Sequence, residues 1–118
     1  MLIDDNPLDN FINTKLIKIN NFASEIIIVE RPEEALNLLR FGKVKPDIIF
    51  LDIRMPVMDG FQFLEEYDKL DIDKSQTEIV VLSSSINPAD IDRAKHNKYV
   101  TSYFNKSLTP EILMKLAS

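Results

Sequence analysis

Four short apolar segments of the sequence are followed by side chains that could do chemistry. These side chains are carboxylates, hydroxyls and an ammonium group: Asp4-Asp5, Asp52, Ser83-Ser84-Ser85 and Lys106. Clustered carboxylates repel one another, and a divalent cation relieves that repulsion. Mg²⁺ prefers hard oxygen ligands and needs only one or two carboxylates when a phosphate completes its shell. A carboxylate beside such an ion can attack phosphorus, while a lysine and a hydroxyl bind the remaining oxygens.

Each of these residues also has an ordinary structural interpretation. Acidic residues after a strand often cap a helix or begin a loop, three serines can form a polar loop, and most lysines are solvated. Only their common position, directly after separate apolar segments, favours a functional site. Whether these residues form a site therefore depends on the strands and helices that would bring them together.

The apolar segments are short, rich in β-branched residues and apolar without alternation. Such segments are typical of strands that are buried on both faces of a parallel sheet. We predict five strands, of which the first is shortened at its amino end and the last is weakest: residues 1–3, 25–29, 47–51, 79–82 and 102–104.

Helical patterns lie between these segments. Apolar residues recur at helical spacing from Leu8 to Ile19 and from Phe61 to Tyr67, and prolines open three further helices at Pro32, Pro88 and Pro110. Alternating strands and helices predict an α/β, doubly wound parallel sheet with helices on both faces. In such folds ligands gather at the carboxyl ends of the strands, where the side chains described above are placed.

Length and composition narrow the class of protein. The 118 residues fit a single domain spanning residues 1–118, and the absence of cysteine excludes disulfides and thiolate chemistry and suits a cytoplasmic location. The net charge of −5 disfavours direct binding to nucleic acid. The apolar segments are too short to span a membrane, and the first residues do not form a signal peptide.

Two segments resemble the receiver domains of bacterial response regulators, including the chemotaxis regulators. They are residues 2–7, Leu-Ile-Asp-Asp-Asn-Pro, and residues 50–60, Phe-Leu-Asp-Ile-Arg-Met-Pro-Val-Met-Asp-Gly. The second is highly specific, since Asp-x-x-Met-Pro-x-Met-Asp-Gly surrounds the phosphorylated aspartate of that family. The resemblance covers almost the whole chain and implies a five-stranded sheet of flavodoxin-like strand order 2-1-3-4-5.

The resemblance implies a role for each acidic residue. Asp52 would accept the phosphoryl group, and Mg²⁺ would be bound by Asp5, Asp52 and the backbone carbonyl of Arg54. Asp4 would act on the metal through water. The chain would then be a signalling domain, with at most self-phosphorylation and slow self-dephosphorylation as catalysis.

The resemblance also implies a switch. Ser84 would be the hydroxyl that hydrogen-bonds the phosphoryl group, with Ser83 as the alternative because three consecutive serines leave the register open. Tyr103 would be the aromatic residue that turns inward, or else a core or edge aromatic. Lys106 would contact a phosphoryl oxygen. The family usually has proline after this lysine, whereas Ser107 stands here.

The partners implied are a sensor histidine kinase or a histidine phosphotransfer protein as donor. A downstream protein would bind the fourth helix, fifth strand and fifth helix, and phosphorylation could also drive homodimerisation. Residues 86–118, which contain this face, carry five Lys and Arg against three Asp and Glu. No nucleic-acid or membrane partner is expected.

Three other functions are weighed against this one. An aspartate-nucleophile phosphohydrolase would carry a second aspartate two residues after the first, where Arg54 stands. A flavin-binding electron carrier would need a phosphate-cradling loop after the first strand, where Asp4-Asp5 would repel phosphate. A degenerate receiver that only binds partners would not need the full set of acidic, hydroxyl and lysine residues.

Overall fold

The computed structural model describes residues 1–105 and 107–117 of the chain. Within these residues five strands and five helices alternate, and the strands form one parallel sheet in the order β2-β1-β3-β4-β5. The predicted doubly wound α/β fold and its strand order are thus confirmed. The elements are β1 Leu2–Ile3, α1 Pro7–Ile19, β2 Ile28–Val29, α2 Pro32–Arg40, β3 Ile48–Leu51, α3 Gly60–Asp68, β4 Glu78–Ser83, α4 Pro88–Lys95, β5 Val100–Asn105 and α5 Pro110–Ala117.

Successive residues of the central strands enter two separate cores. Ile49 and Leu51 of β3 are fully buried in a large cluster with side chains from α2, α3 and α4. Phe50, between them, belongs to a smaller cluster with Ile17 of α1 and Leu113 of α5. Because side chains alternate across a strand, the continuous apolar run of β3 serves helices on both faces of the sheet.

The helices begin where local sequence predicts. Asn6 and Asn87 accept backbone N–H groups at the starts of α1 and α4, each followed by proline in the first turn. Asp59 and Gln62 form a reciprocal capping box at the start of α3. These caps satisfy amide groups that have no partner within the helix, and they fix the loops that leave the strand ends.

Two elements differ from the sequence prediction. The second strand was predicted over residues 25–29, but only Ile28–Val29 pairs, because its neighbour β1 offers only Leu2 and Ile3. The fifth strand is longer than predicted and runs over Val100–Asn105.

Helix α1 also departs from the simple pattern. It forms as predicted, yet four of its apolar side chains are exposed: Leu8, Phe11, Ile12 and Ile19. Its buried residues are Asn10, Asn13 and Ile17. Each asparagine makes a side-chain hydrogen bond: the side chain of Asn10 donates to the carbonyl of Asp4, and that of Asn13 accepts from the amide of Leu108. None of the helices in the described ranges is long and apolar enough to cross a membrane.

Candidate phosphoacceptor site

Three carboxylates meet at the carboxyl edge of the sheet. Strands β1 and β3 pair in parallel with Ile3 beside Leu51, so the residues that follow them, Asp4 and Asp52, emerge side by side. Oxygens of Asp4, Asp5 and Asp52 all lie within 4.8 Å of one another. Asp4 and Asp52 are each 5% exposed, and Asp5 is half-buried. The structure thus brings together the three acidic residues that the sequence singled out.

Backbone contacts fix two of these carboxylates. The amide of Asn6 donates to Oδ1 of Asp4 at 2.9 Å, and the backbone amide of Asp52 donates to the carbonyl of Ile3 at 3.0 Å. The amide of Arg54 lies 3.4 Å from Oδ1 of Asp52, a long hydrogen bond. The carboxylates are therefore held in place by the strand pairing and by the turns that follow the strands.

The donor set suits Mg²⁺. Mg²⁺ takes octahedral oxygen ligands at about 2.0–2.1 Å, so that opposite ligands stand about 4.2 Å apart. Carboxylate oxygens within 4.8 Å of one another can serve one such ion with little movement. The chain has no cysteine, and the set contains no histidine, so the soft ligands that favour zinc or copper are missing from it.

The loop between β3 and α3 packs directly against the backbone of Asp52, the predicted phosphoacceptor. The amide of Gly60 donates to the carbonyl of Ile53 at 2.8 Å. A Cβ atom at Gly60 would lie 2.7 Å from the backbone oxygen of Asp52 and 2.8 Å from Cα of Ile53. Glycine is thus required here for close approach of the two backbones.

The same loop contains a strained residue. Val57 has a φ of 68° and is 93% exposed. A β-branched residue rarely adopts this left-handed conformation. The tight loop therefore combines a required glycine with an unfavourable backbone conformation, a combination typical of functional loops.

The serines after β4 have different surroundings. Ser83 is the last residue of β4 and is fully buried, and its Oγ accepts the amide of Ser85 at 3.1 Å. Ser84 is exposed. Tyr103 of β5 is half-buried and turned toward this loop, because its hydroxyl donates to the carbonyl of Ser85 at 3.0 Å.

One residue that the sequence did not single out, Asp90, joins the site. Oδ2 of Asp90, in the first turn of α4, accepts from Ser85 Oγ at 2.8 Å and pairs with the guanidinium of Arg54. In the sequence, Asp90 has only the pattern of an ordinary first-turn acid after the Asn87 cap. Lys106 lies outside the described residues, so its predicted contact stays a prediction.

Comparison with known proteins agrees with this geometry. The family model for the response regulator receiver domain matches residues 1–118. Response regulator Rcp1 of Synechocystis is 27% identical over 98% of this chain and 81% of its own length. The nitrate/nitrite response regulator protein NarL of Escherichia coli K12 is 32% identical over 98% of this chain, which spans about half (50%) of NarL.

A solved structure extends the comparison to the fold. The crystal structure of a two component response regulator from Cytophaga hutchinsonii superposes with a TM-score of 0.88 at 32% identity, covering 98% of this chain and 90% of that one. Sequence motif, sheet order, the acidic cluster and these similarities agree. The chain belongs to the response regulator receiver domain family, whose members act mainly in signalling.

Proposed function

We propose that the chain is a phosphorylation switch in which Asp52 accepts a phosphoryl group in a reaction that requires Mg²⁺. The observation that carries the proposal is the convergence of Asp4, Asp5 and Asp52 within 4.8 Å at the carboxyl edge of the sheet. Asp5, Asp52 and the backbone carbonyl of Arg54 would bind the ion directly, and Asp4 would bind it through water. When bound, Mg²⁺ neutralises charge on the transferring phosphoryl oxygens.

The protein residues supply the nucleophile and the remaining contacts. A carboxylate oxygen of Asp52 attacks phosphorus, the bond from phosphorus to the donor nitrogen breaks, and an acyl phosphate forms. Lys106 would bind one phosphoryl oxygen through its ammonium group. The donor would be the phosphohistidine of a sensor kinase or of a phosphotransfer protein, and the output would be read from α4, β5 and α5. A phosphorylation-dependent homodimer is also part of the proposal.

An aspartate-nucleophile hydrolase is less well supported. The position two residues after Asp52 holds Arg54, and its guanidinium pairs with Asp90. An arginine cannot act as the general base that would activate water in such an enzyme. Stable phosphorylation of Asp52 is therefore expected in place of rapid turnover.

Intact-mass spectrometry with acetyl phosphate tests the proposal. We expect one phosphoryl adduct in the presence of Mg²⁺ and none with excess EDTA, and reductive trapping followed by peptide mapping should place it at residue 52. An adduct at another residue, or one indifferent to Mg²⁺, would contradict the site. Continuous release of phosphate without an accumulating adduct would support the hydrolase.

The switch hydroxyl can be assigned by a pair of variants. The sequence favours Ser84, but the contacts of the alternative, Ser83, suit the role better. Ser83 is held at the end of β4, and its Oγ accepts from the amide of Ser85, a contact that leaves its own O–H able to donate to another group. A hydrogen bond to a charged group contributes about 1.5–3 kcal/mol.

We therefore expect Ser83→Ala to slow adduct formation at least about tenfold, with Ser83→Thr restoring it and Ser84→Ala having little effect. Stopped time courses by mass spectrometry measure this directly. A larger loss in Ser84→Ala than in Ser83→Ala would restore the assignment that the sequence favours.

A further inference from the structure

One carboxylate connects the loop after β3 to the start of α4. Oδ2 of Asp90 is shared by Ser85 Oγ and the guanidinium of Arg54. Ser85 is in turn held by Tyr103, whose hydroxyl donates to its carbonyl at 3.0 Å. We call these four residues, Arg54, Ser85, Asp90 and Tyr103, the Asp90 latch. It spans the segment after Asp52, the loop after β4, the first turn of α4 and strand β5.

The two charged members of the latch differ in exposure. The side chain of Asp90 is 14% exposed, whereas that of Arg54 is 56% exposed. A partly buried carboxylate depends on its donors, while an exposed guanidinium can move at little cost. The ion pair is therefore easily broken by movement of Arg54. Asp90 then loses one of its hydrogen-bond donors.

The backbone of Arg54 lies close to the carboxylate of Asp52. It lies two residues after Asp52, and its amide already lies 3.4 Å from Oδ1 of that residue. A phosphoryl group carries close to two negative charges and three strong acceptor oxygens, so it competes well with one carboxylate oxygen for a guanidinium. Phosphorylation would thus create a second anionic acceptor two residues from Arg54, in competition with Asp90 for the guanidinium.

We propose that the Asp90 latch holds α4 in its resting position and that Arg54 moves from Asp90 to the phosphoryl group on Asp52. Once Arg54 leaves, Asp90 gains solvent contact by displacement of the first turn of α4, and the loop that Tyr103 and Ser85 hold moves with it. The inference rests on the proposed function, because the phosphoryl group is the competing acceptor. It assigns the side chains of Arg54 and Asp90 a role in holding and releasing α4, separate from the metal ligation proposed for the backbone carbonyl of Arg54.

Amide hydrogen exchange of the full chain, followed by mass spectrometry of peptides spanning residues 83–95, tests the latch. The variants are Arg54→Gln, which leaves α4 untouched, and Asp90→Asn. The control is Asp92→Asn, which removes an equally charged but exposed residue of the same helix. Without any ligand, we expect both latch variants to raise exchange in this segment about threefold to fivefold, as an exposed ion pair allows. Asp92→Asn should match the wild type.

The phosphorylated state is imitated with Mg²⁺ and beryllofluoride. The wild type should then show the faster exchange of the latch variants, and Arg54→Gln should show little further change. Exchange in Arg54→Gln equal to that in Asp92→Asn would overturn the latch, even if Asp52 proves to be phosphorylated. A different result would be that no phosphoryl adduct forms while both latch variants still exchange faster without ligand. That result would contradict the phosphoacceptor proposal and the proposed trigger, and it would support only the contact of Asp90 in the resting state.

Discussion

Replacing Asp52 with asparagine is expected to abolish the phosphoryl adduct completely while making the metal-free protein more stable. The amide of asparagine is not a nucleophile toward phosphorus, so acceptance at this site should fall below detection by intact-mass spectrometry. Asp71→Asn is the matched control, because Asp71 is an exposed carboxylate in the loop before β4. The control should be phosphorylated like the wild type.

The expected gain in stability has a separate cause. Three carboxylates with oxygens within 4.8 Å of one another repel in the absence of a cation. Removing one charge should raise the free energy of unfolding by about 1 kcal/mol or more at low salt. Mg²⁺ should stabilise the wild type by mass action and the Asp52→Asn protein much less. Urea unfolding with and without Mg²⁺ measures both effects, and a variant that is less stable in both conditions would show that the carboxylates do not form a strained cluster.

Replacing Gly60 with alanine is expected to destabilise the fold and slow phosphorylation together. The added Cβ would lie 2.7 Å from the backbone oxygen of Asp52 and 2.8 Å from Cα of Ile53, so backbone must move on one side or the other. Overpacking of this kind costs about 1–3 kcal/mol. Because the displaced backbone carries the acceptor, we also expect adduct formation to slow at least about tenfold, as small misplacements of reacting groups do.

Gly42 offers a matched control. It has a φ of 66° at the end of α2 and nothing within 4 Å of its added Cβ. Gly42→Ala should therefore lower the free energy of unfolding by only about 1–2 kcal/mol, because alanine is strained in the left-handed backbone conformation. The rate of adduct formation should stay unchanged. Equal effects of the two variants on that rate would mean that the close approach at Gly60 does not position Asp52.

Sequence alone predicted the fold because burial on both faces leaves a clear pattern. The run 48–51 is apolar at every position, and alternate residues enter the two cores. Strand length was harder to predict. Residues 26 and 27 are apolar like 28 and 29, but the parallel pairing with β1 begins only at Leu2 and Ile28, and that limit depends on another part of the chain.

The acidic site was predictable for a related reason. Asp4 and Asp52 directly follow strands, and the parallel pairing of those strands fixes their proximity. The contact of Asp90 with Arg54 was not predictable, because it joins residues 36 positions apart through a side-chain hydrogen bond that leaves no periodic pattern. The choice between Ser83 and Ser84 likewise depends on where β4 ends, which a run of three serines does not reveal.

The placement of β1 has a consequence for how the protein folds. This strand has two residues, yet it lies between β2 and β3 and pairs Leu2 with both Ile28 and Phe50. Closing the contact from Leu2 to Phe50 orders a longer stretch of chain than closing the contact from Leu2 to Ile28. During synthesis, β1 cannot pair with β3 until residue 51 has emerged. Asp4 and Asp5 therefore approach Asp52 only at that stage. The repulsion between Asp52 and the two acidic residues after β1 therefore arises only when β1 and β3 pair, so it opposes the formation of that part of the sheet.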